Sequence, residues 1–327
     1  MKIAYYLPQK VFSNTAFANL GWSDEKIFKK TGIRERHVCR DDEFALDLAV
    51  QAAELLFQRK GVDRKRVDYV LYCTQSPDYT IPTNACLLQE RLGLDVALGA
   101  LDFNLGCSGF VYGLSLAKGL LLTGQASQLL LITSETYSKY IHPGDRSNRV
   151  IFGDGAAATL LDRGDAERLG EFVFGTDGSG AENLCMKSSG LRYRGMALTG
   201  ESTDCYGNVR SGDNLYMNGA EILRFTLHRV PEAVSELLSK SGLKMVDIHH
   251  FVFHQANRYI LEALREKMGI PLEKFPYYLE EVGNTVSSTI PILLSRLDTE
   301  GRLLPGQKVL LVGFGVGYSW ATTLYRL

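Results

Sequence analysis

The chain lacks any apolar run near the ~18–20 residues needed to cross a bilayer. Its longest candidate, from Gly119 to Ile132, is interrupted by Thr123, Gln125, Ser127 and Gln128. It also lacks an excess of charge. Lys+Arg number 36 against 37 Asp+Glu, a net charge of -1, so no global basic field draws in nucleic acid. A local basic patch for an acidic partner stays open. Paired CxxC motifs are missing: cysteines at 39, 73, 86, 107, 185 and 205 are scattered. Neither a disulfide framework nor a zinc site fits that pattern, and reduced thiols in a cytoplasmic protein do. The first residues, MKIAYYLPQK, are broken by Pro8 too early for a signal peptide. Composition, 45% hydrophobic and 22% charged, excludes disorder and collagen-like repetition. The expectation is a soluble cytoplasmic enzyme with no membrane or nucleic-acid partner.

At 327 residues the chain has room for two domains or one duplicated unit. An internal repeat favours duplication. EFALDLAVQAAELLFQRKG has helical spacing, ends at Gly61 and leads to the strand-like VDYVLYCTQ. EILRFTLHRVPEAVSELLSKSG ends at Gly242 and leads to DIHHFVFHQ. The gap from Gly61 to Cys73 equals that from Gly242 to His254, so Cys73 and His254 hold equivalent strand ends.

A second unit repeats as well. Gly106-Cys107 precedes an apolar helical stripe (Phe110, Leu114, Ala117, Leu121) that stops at Gly124. Gly283-Asn284 precedes another (Ile290, Leu293, Leu294, Leu297) that stops at Gly301, at the same spacing. The apolar strands LLLIT and VLLVGF follow these helices. Gly-ended helices alternating with short strands predict an α/β layered fold of two similar halves. Residues 163–216, rich in Gly, Ser, Asp and Asn, do not fit and read as linker and long loops. The expected divisions are 1–165, 166–216 and 217–327.

Cys107 and Asn284 therefore occupy equivalent helix starts, with His254 at a strand end, where α/β sheets gather their sites. Most cysteines are small buried thiols. A helix amino terminus changes that expectation, because its N–H groups and dipole lower a thiol's pKa. His254 reads either as a core histidine or as the partner of a nucleophile. A metal site shared with His250 fails, since the two lie roughly 13 Å apart along a strand. Asn284 reads as a helix cap, or as an uncharged donor to a negative oxygen. The terminal GFGVGYS has no following helix and acidic residue, so it is not a dinucleotide fingerprint. Its glycines suit close approach of N–H groups to a reacting oxygen.

These residues resemble the ketoacyl-ACP synthase III branch of the thiolase-like condensing enzymes. The matching segments are TGIRERH at 31–37, GCSGF around Cys107, DR and VIFGDGAAA at 145–158, HQAN at 254–257, GNT at 283–285 and GFGVGYSW. The resemblance implies a duplicated five-layered αβαβα thiolase-like fold, a homodimer, and a decarboxylative Claisen condensation with no metal or redox cofactor. Cys107 would take an acyl group from acyl-CoA or an acyl carrier protein. His254 and Asn284 would stabilise the enolate formed from malonyl-ACP. Backbone N–H groups of Cys107 and Val316 would form the oxyanion hole. Arg146, Gly219 and Asn257 match the pantetheine and nucleotide path, and Lys30 is expected on it as well, where acetyl-CoA users often have Arg.

The chain departs from that pattern in three places. Lys26 stands where acetyl-CoA users often have Trp, and only charge remains there for an adenine ring. Arg258 and Tyr259 follow HQAN where an apolar residue and Arg are usual, which alters the carrier-protein contact at Arg258. Ile81 replaces a Phe that often caps the primer pocket across the dimer. These departures predict a primer other than acetyl-CoA: longer, branched or protein-borne. The rivals are an acyltransferase passing the acyl group to an alcohol or amine, and a silent carrier-binding subunit. Asn284 counts against the first, and the intact Cys107, His254 and Asn284 against the second.

Overall fold

The computed structural model describes residues 1–193 and 200–327. Strand β1 (Lys2–Tyr6) is followed by an antiparallel hairpin, β2 (Lys10–Ser13) with β3 (Glu35–Val38), which brackets helix α1 (Asp24–Thr31). The first half continues through α2 (Ala45–Lys60), β4 (Tyr69–Cys73), α3 (Asn84–Arg91), β5 (Gly99–Phe103), α4 (Gly109–Leu122), β6 (Gln128–Glu135) and β7 (Gly155–Asp162). Its sheet has the order β1-β7-β6-β4-β5. The β4 strand runs parallel to both neighbours, and the β1–β7 and β7–β6 pairs are antiparallel.

The second half opens with α5 (Arg163–Arg168) and β8 (Leu169–Thr176). Four two-residue strands follow: β9 (Leu184–Cys185), β10 (Ser202–Thr203), β11 (Val209–Arg210) and β12 (Tyr216–Met217). Then come α6 (Gly219–Ser241), β13 (His250–Phe253), α7 (Arg258–Lys267), α8 (Thr289–Thr299), β14 (Lys308–Gly315) and β15 (Ser319–Arg326). The sheet order β8-β15-β14-β13 repeats β1-β7-β6-β4, with the same strand directions. Among the described residues no counterpart of β5 forms. The corresponding stretch carries Pro271 and Pro276, which have no N–H to give a ladder.

The reading of 163–216 as linker and loops is corrected at its start. Residues 163–176 form α5 and β8, and β8 pairs with β15 from Thr176 opposite Ser319 to Leu169 opposite Tyr325. Its glycines gave the stretch a loop-like composition for a packing reason. A Cβ at Gly175 would lie 1.9 Å from the Trp320 indole, so the strand must be bare there.

Strand alternation and helix stripes build the layers. Along β6, Leu130 and Ile132 pack with α2 while Leu129 and Leu131 face the opposite side. Along β14, Val309 and Leu311 turn toward that same middle space while Leu310, Val312 and Phe314 pack with α6. Helices α4 and α8 fill the middle, between the two sheets. Their predicted stripes, Phe110–Leu114–Ala117–Leu121 and Ile290–Leu293–Leu294–Leu297, are all buried. The result is five layers: α2 and α3, the first sheet, α4 with α8, the second sheet, α6 and α7. Each fully buried Leu in the middle layer contributes about 1.5–3 kcal/mol.

Candidate active site

The two middle helices present their amino ends to one place, beside the carboxyl ends of β13 and β14. Cys107 lies in the turn just before α4, where the Gly109 N–H donates to the Gly106 carbonyl at 2.8 Å. Gly315, the last residue of β14, passes directly over it. A Cβ at 315 would sit 2.8 Å from the Cys107 Cβ and 3.0 Å from its Sγ, so only glycine admits this approach. The next residue, Val316, aims its backbone N–H at the sulfur, as does the N–H of Cys107 itself.

The expectation of a thiol acidified by the helix end is not met. Burial pushes Cys107 up to about 12, and the nearby carboxylate of Glu135 adds to the rise, while the two N–H groups pull the other way. Desolvation of a sulfur anion outweighs two dipoles here. Glu135 ends β6 and is itself pushed up to about 8 by burial. Its oxygens accept from the Gln75 N–H at 3.0 Å, the Ser76 hydroxyl at 3.1 Å and the Ser287 hydroxyl at 2.7 Å.

His254 follows β13 and extends its ladder, donating its backbone N–H to the Val312 carbonyl at 2.8 Å. The ring is 2% exposed and meets Phe314 edge-on, 5.4 Å between centroids. Burial lowers its pKa to about 3, so it is neutral at physiological pH. Its Nδ1 lies 2.7 Å from the Thr289 hydroxyl. Asn284 is pinned by its main chain, which donates to Ile151 at 2.9 Å and accepts from Gly153 at 3.0 Å. Its Oδ1 accepts the Val286 N–H at 2.8 Å, which leaves the amide NH2 as a donor. Val286 does this at φ 56, a strained conformation for a β-branched residue.

Cys107, His254 and Asn284 line one cavity of about 320 Å³, walled by Phe152, Leu184, Ile222 and Phe314. Gly219 and Asn257 line it too, and Asn257 caps α7 by accepting the Ile260 N–H at 2.9 Å. The other expected residues stand outside this wall. Lys30 and Lys26 lie on α1, each about 5 Å from the centre of the Trp22 ring (5.0 and 5.1 Å). Arg146 rests against Gly207. Arg258 packs on Gly32 and over Tyr277, beside a neighbouring cleft. Ile81 is 84% exposed and touches no part of the cavity within one chain.

Comparison with known proteins gives the family. The family descriptions 3-oxoacyl-[acyl-carrier-protein (ACP)] synthase III and its C-terminal part match residues 101–178 and 238–327, which hold all three residues. A beta-ketoacyl-[acyl-carrier-protein] synthase III 2 of Halalkalibacterium halodurans is 36% identical, over 99% of this chain and 95% of its own length. The chain belongs to the 3-oxoacyl-ACP synthase III family. A solved 3-oxoacyl-(acyl-carrier-protein) synthase III is 52% identical with a TM-score of 0.97, covering 99% of this chain and 98% of that one. The priming beta-ketosynthase of the R1128 polyketide pathway is 30% identical with a TM-score of 0.88, covering 100% and 95%. The thiolase-like fold is thereby shown.

Within that synthase III frame, sequence reasoning passed over Glu135, Val286 and Thr289, and took Gly315 only together with the other glycines of GFGVGYS. An acid closing the apolar run LLLITSE was a visible signal for Glu135. Val286 and Thr289 act within the second half, through short contacts to Asn284 and His254 that spacing does not reveal, and Gly315 acts across the halves on Cys107.

Proposed function

We propose that the protein catalyses the priming condensation of an acyl thioester with malonyl-ACP. Convergence of a cysteine beneath two N–H donors with a neutral histidine and a free amide donor carries the reading. Cys107 attacks the acyl carbonyl, the N–H groups of Cys107 and Val316 hold the oxyanion, and the thiol proton leaves on CoA or the carrier thiol. Malonyl-ACP then loses carbon dioxide. His254 and Asn284 hold the enolate oxygen, the carbanion attacks acyl-Cys107, and the freed sulfur takes a proton from solvent. Products are 3-oxoacyl-ACP and carbon dioxide. A high thiol pKa keeps the resting sulfur protonated and makes it a poor leaving group, so both its attack and its departure depend on the N–H donors around it.

Arg258 against Gly32 brings α7 to α1, and with Lys26 and Lys30 forms a cationic strip for an acidic carrier protein. Lys30, Arg146, Gly219 and Asn257 would follow the pantetheine and nucleotide. The halves would divide before β8, with the segment up to α6 as pocket wall. No described helix is long and apolar enough to cross a membrane, and the cysteines are all free, which fits a reducing cytoplasm. A homodimer joined along β5 is supported by that strand's single neighbour and by Leu101, 45% exposed on it. It would bring Ile81 to the partner's primer pocket. Light scattering should give a dimer, and Leu101→Lys a larger monomer fraction.

The decisive experiment is intact mass after incubation with an acyl-CoA panel and then malonyl-ACP, beside Cys107→Ala. We expect an adduct that needs Cys107 and converts to 3-oxoacyl-ACP, with acetyl-CoA not the best primer. An adduct that malonyl-ACP never discharges overturns condensation.

A further inference from the structure

We infer that Thr289 is a positioning residue that holds His254 in the Nε2–H form, making it a donor to the enolate. The inference rests on the condensation reading above. His254 is buried and neutral, so its ring carries one N–H. Which nitrogen bears it is set by the partner of Nδ1.

That partner is a hydroxyl with a choice. Thr289 is the first residue of α8, 3% exposed, and its Oγ1 stands 2.7 Å from His254 Nδ1 and 3.1 Å from the Val286 carbonyl. If the hydroxyl donates to Nδ1, the hydrogen of the ring sits on Nε2. If it donates to Val286, Nδ1–H donates to Thr289 or to that carbonyl, and Nε2 is a bare lone pair. A lone pair repels an enolate oxygen, so only the first arrangement serves decarboxylation. The 2.7 Å contact fits either direction, and the Val286 carbonyl faces both the hydroxyl and the ring, so it is the need for a donor to the enolate that selects the first arrangement.

The same turn settles Asn284. Val286, held at φ 56, gives its N–H to the Asn284 Oδ1, while its carbonyl faces Thr289. One short turn thus orients the hydrogens of two side chains drawn from different parts of the fold. Asn284 is locked by a main-chain group, whereas His254 depends on a side-chain hydroxyl that substitution can remove.

The test uses 15N NMR of the resting enzyme together with single-turnover kinetics for Thr289→Val and Thr289→Ser. Wild type should show a pyridine-like Nδ1 and a protonated Nε2 on His254. In Thr289→Val the populations should move toward Nδ1–H, and carbon dioxide release from malonyl-ACP should fall about a hundredfold, as for loss of one oxyanion donor. Acyl transfer from acyl-CoA to Cys107 should stay within about threefold, and Thr289→Ser should restore both the spectrum and the rate. An Nδ1–H wild type, or a Thr289→Val enzyme that loses both half-reactions equally with its tautomer unchanged, overturns the inference. The NMR arm needs no substrate, so it fails or succeeds separately from condensation: a correct tautomer with no carbon dioxide released would overturn the reading of the reaction instead.

Discussion

Burial raises both the Cys107 thiol and the Glu135 carboxyl, and the carboxylate raises the thiol further. An ionised Glu135 lifts the thiol, so above pH 8, where that carboxyl is charged, Glu135→Gln should lower the thiol pKa and speed iodoacetamide alkylation. Glutamine suits the site, because its oxygen can still accept from Gln75 and Ser76 while its NH2 donates to Ser287. A rate equal to or below wild type, in a folded variant, would remove Glu135 as a control on the thiol. His254 makes a stability prediction. Its folded pKa, about 3, lies below the unfolded value near 6.5, so the unfolded chain gains a proton first. Stability is complete above pH 6.5 and falls toward pH 3, by about 1.4 kcal/mol per pH unit from this group. Denaturant midpoints should show that acid slope and should lose part of it in His254→Gln. Glu135 acts oppositely, its burial costing stability as pH rises from 4.5 to 8. Cys107, His254 and Asn284 were legible because each follows a strand end or a glycine at a repeated spacing. The direction of the thiol shift was not, since local spacing reveals a helix end and not how dry the sulfur is.

Among the elements, the glycine-ended helices and apolar strands were readable in both halves. Strand β8 was hidden, because glycines cleared for Trp320 look like loop glycines when the partner strand lies far along the chain. Gly315 has the same character at the site. In Gly315→Ala the new methyl would meet Cys107, so acyl loading should fall at least tenfold, on the order of a small misplacement of the nucleophile. Circular dichroism and the melting point should change little, because the clash falls at a strand end. Unchanged loading by mass spectrometry would mean that β14 can shift, and that the close approach is not required.

For the whole molecule, the middle layer decides how the halves behave. Leu114 of α4 is fully buried there, packed among residues from both sheets. Leu114→Ala should cost 2–5 kcal/mol by urea unfolding, with a single transition and no separate melting of the halves. Two resolved transitions would show that the halves are independent domains. Such shared burial has a historical side. Helices α4 and α8 each pack against both sheets, so a lone half would leave one face of its helix bare and need a second copy to close it. Cys107 and Asn284 stand at equivalent positions in that pairing. Two identical copies would carry the same residue at both positions, so a nucleophile facing an amide donor requires copies that differ.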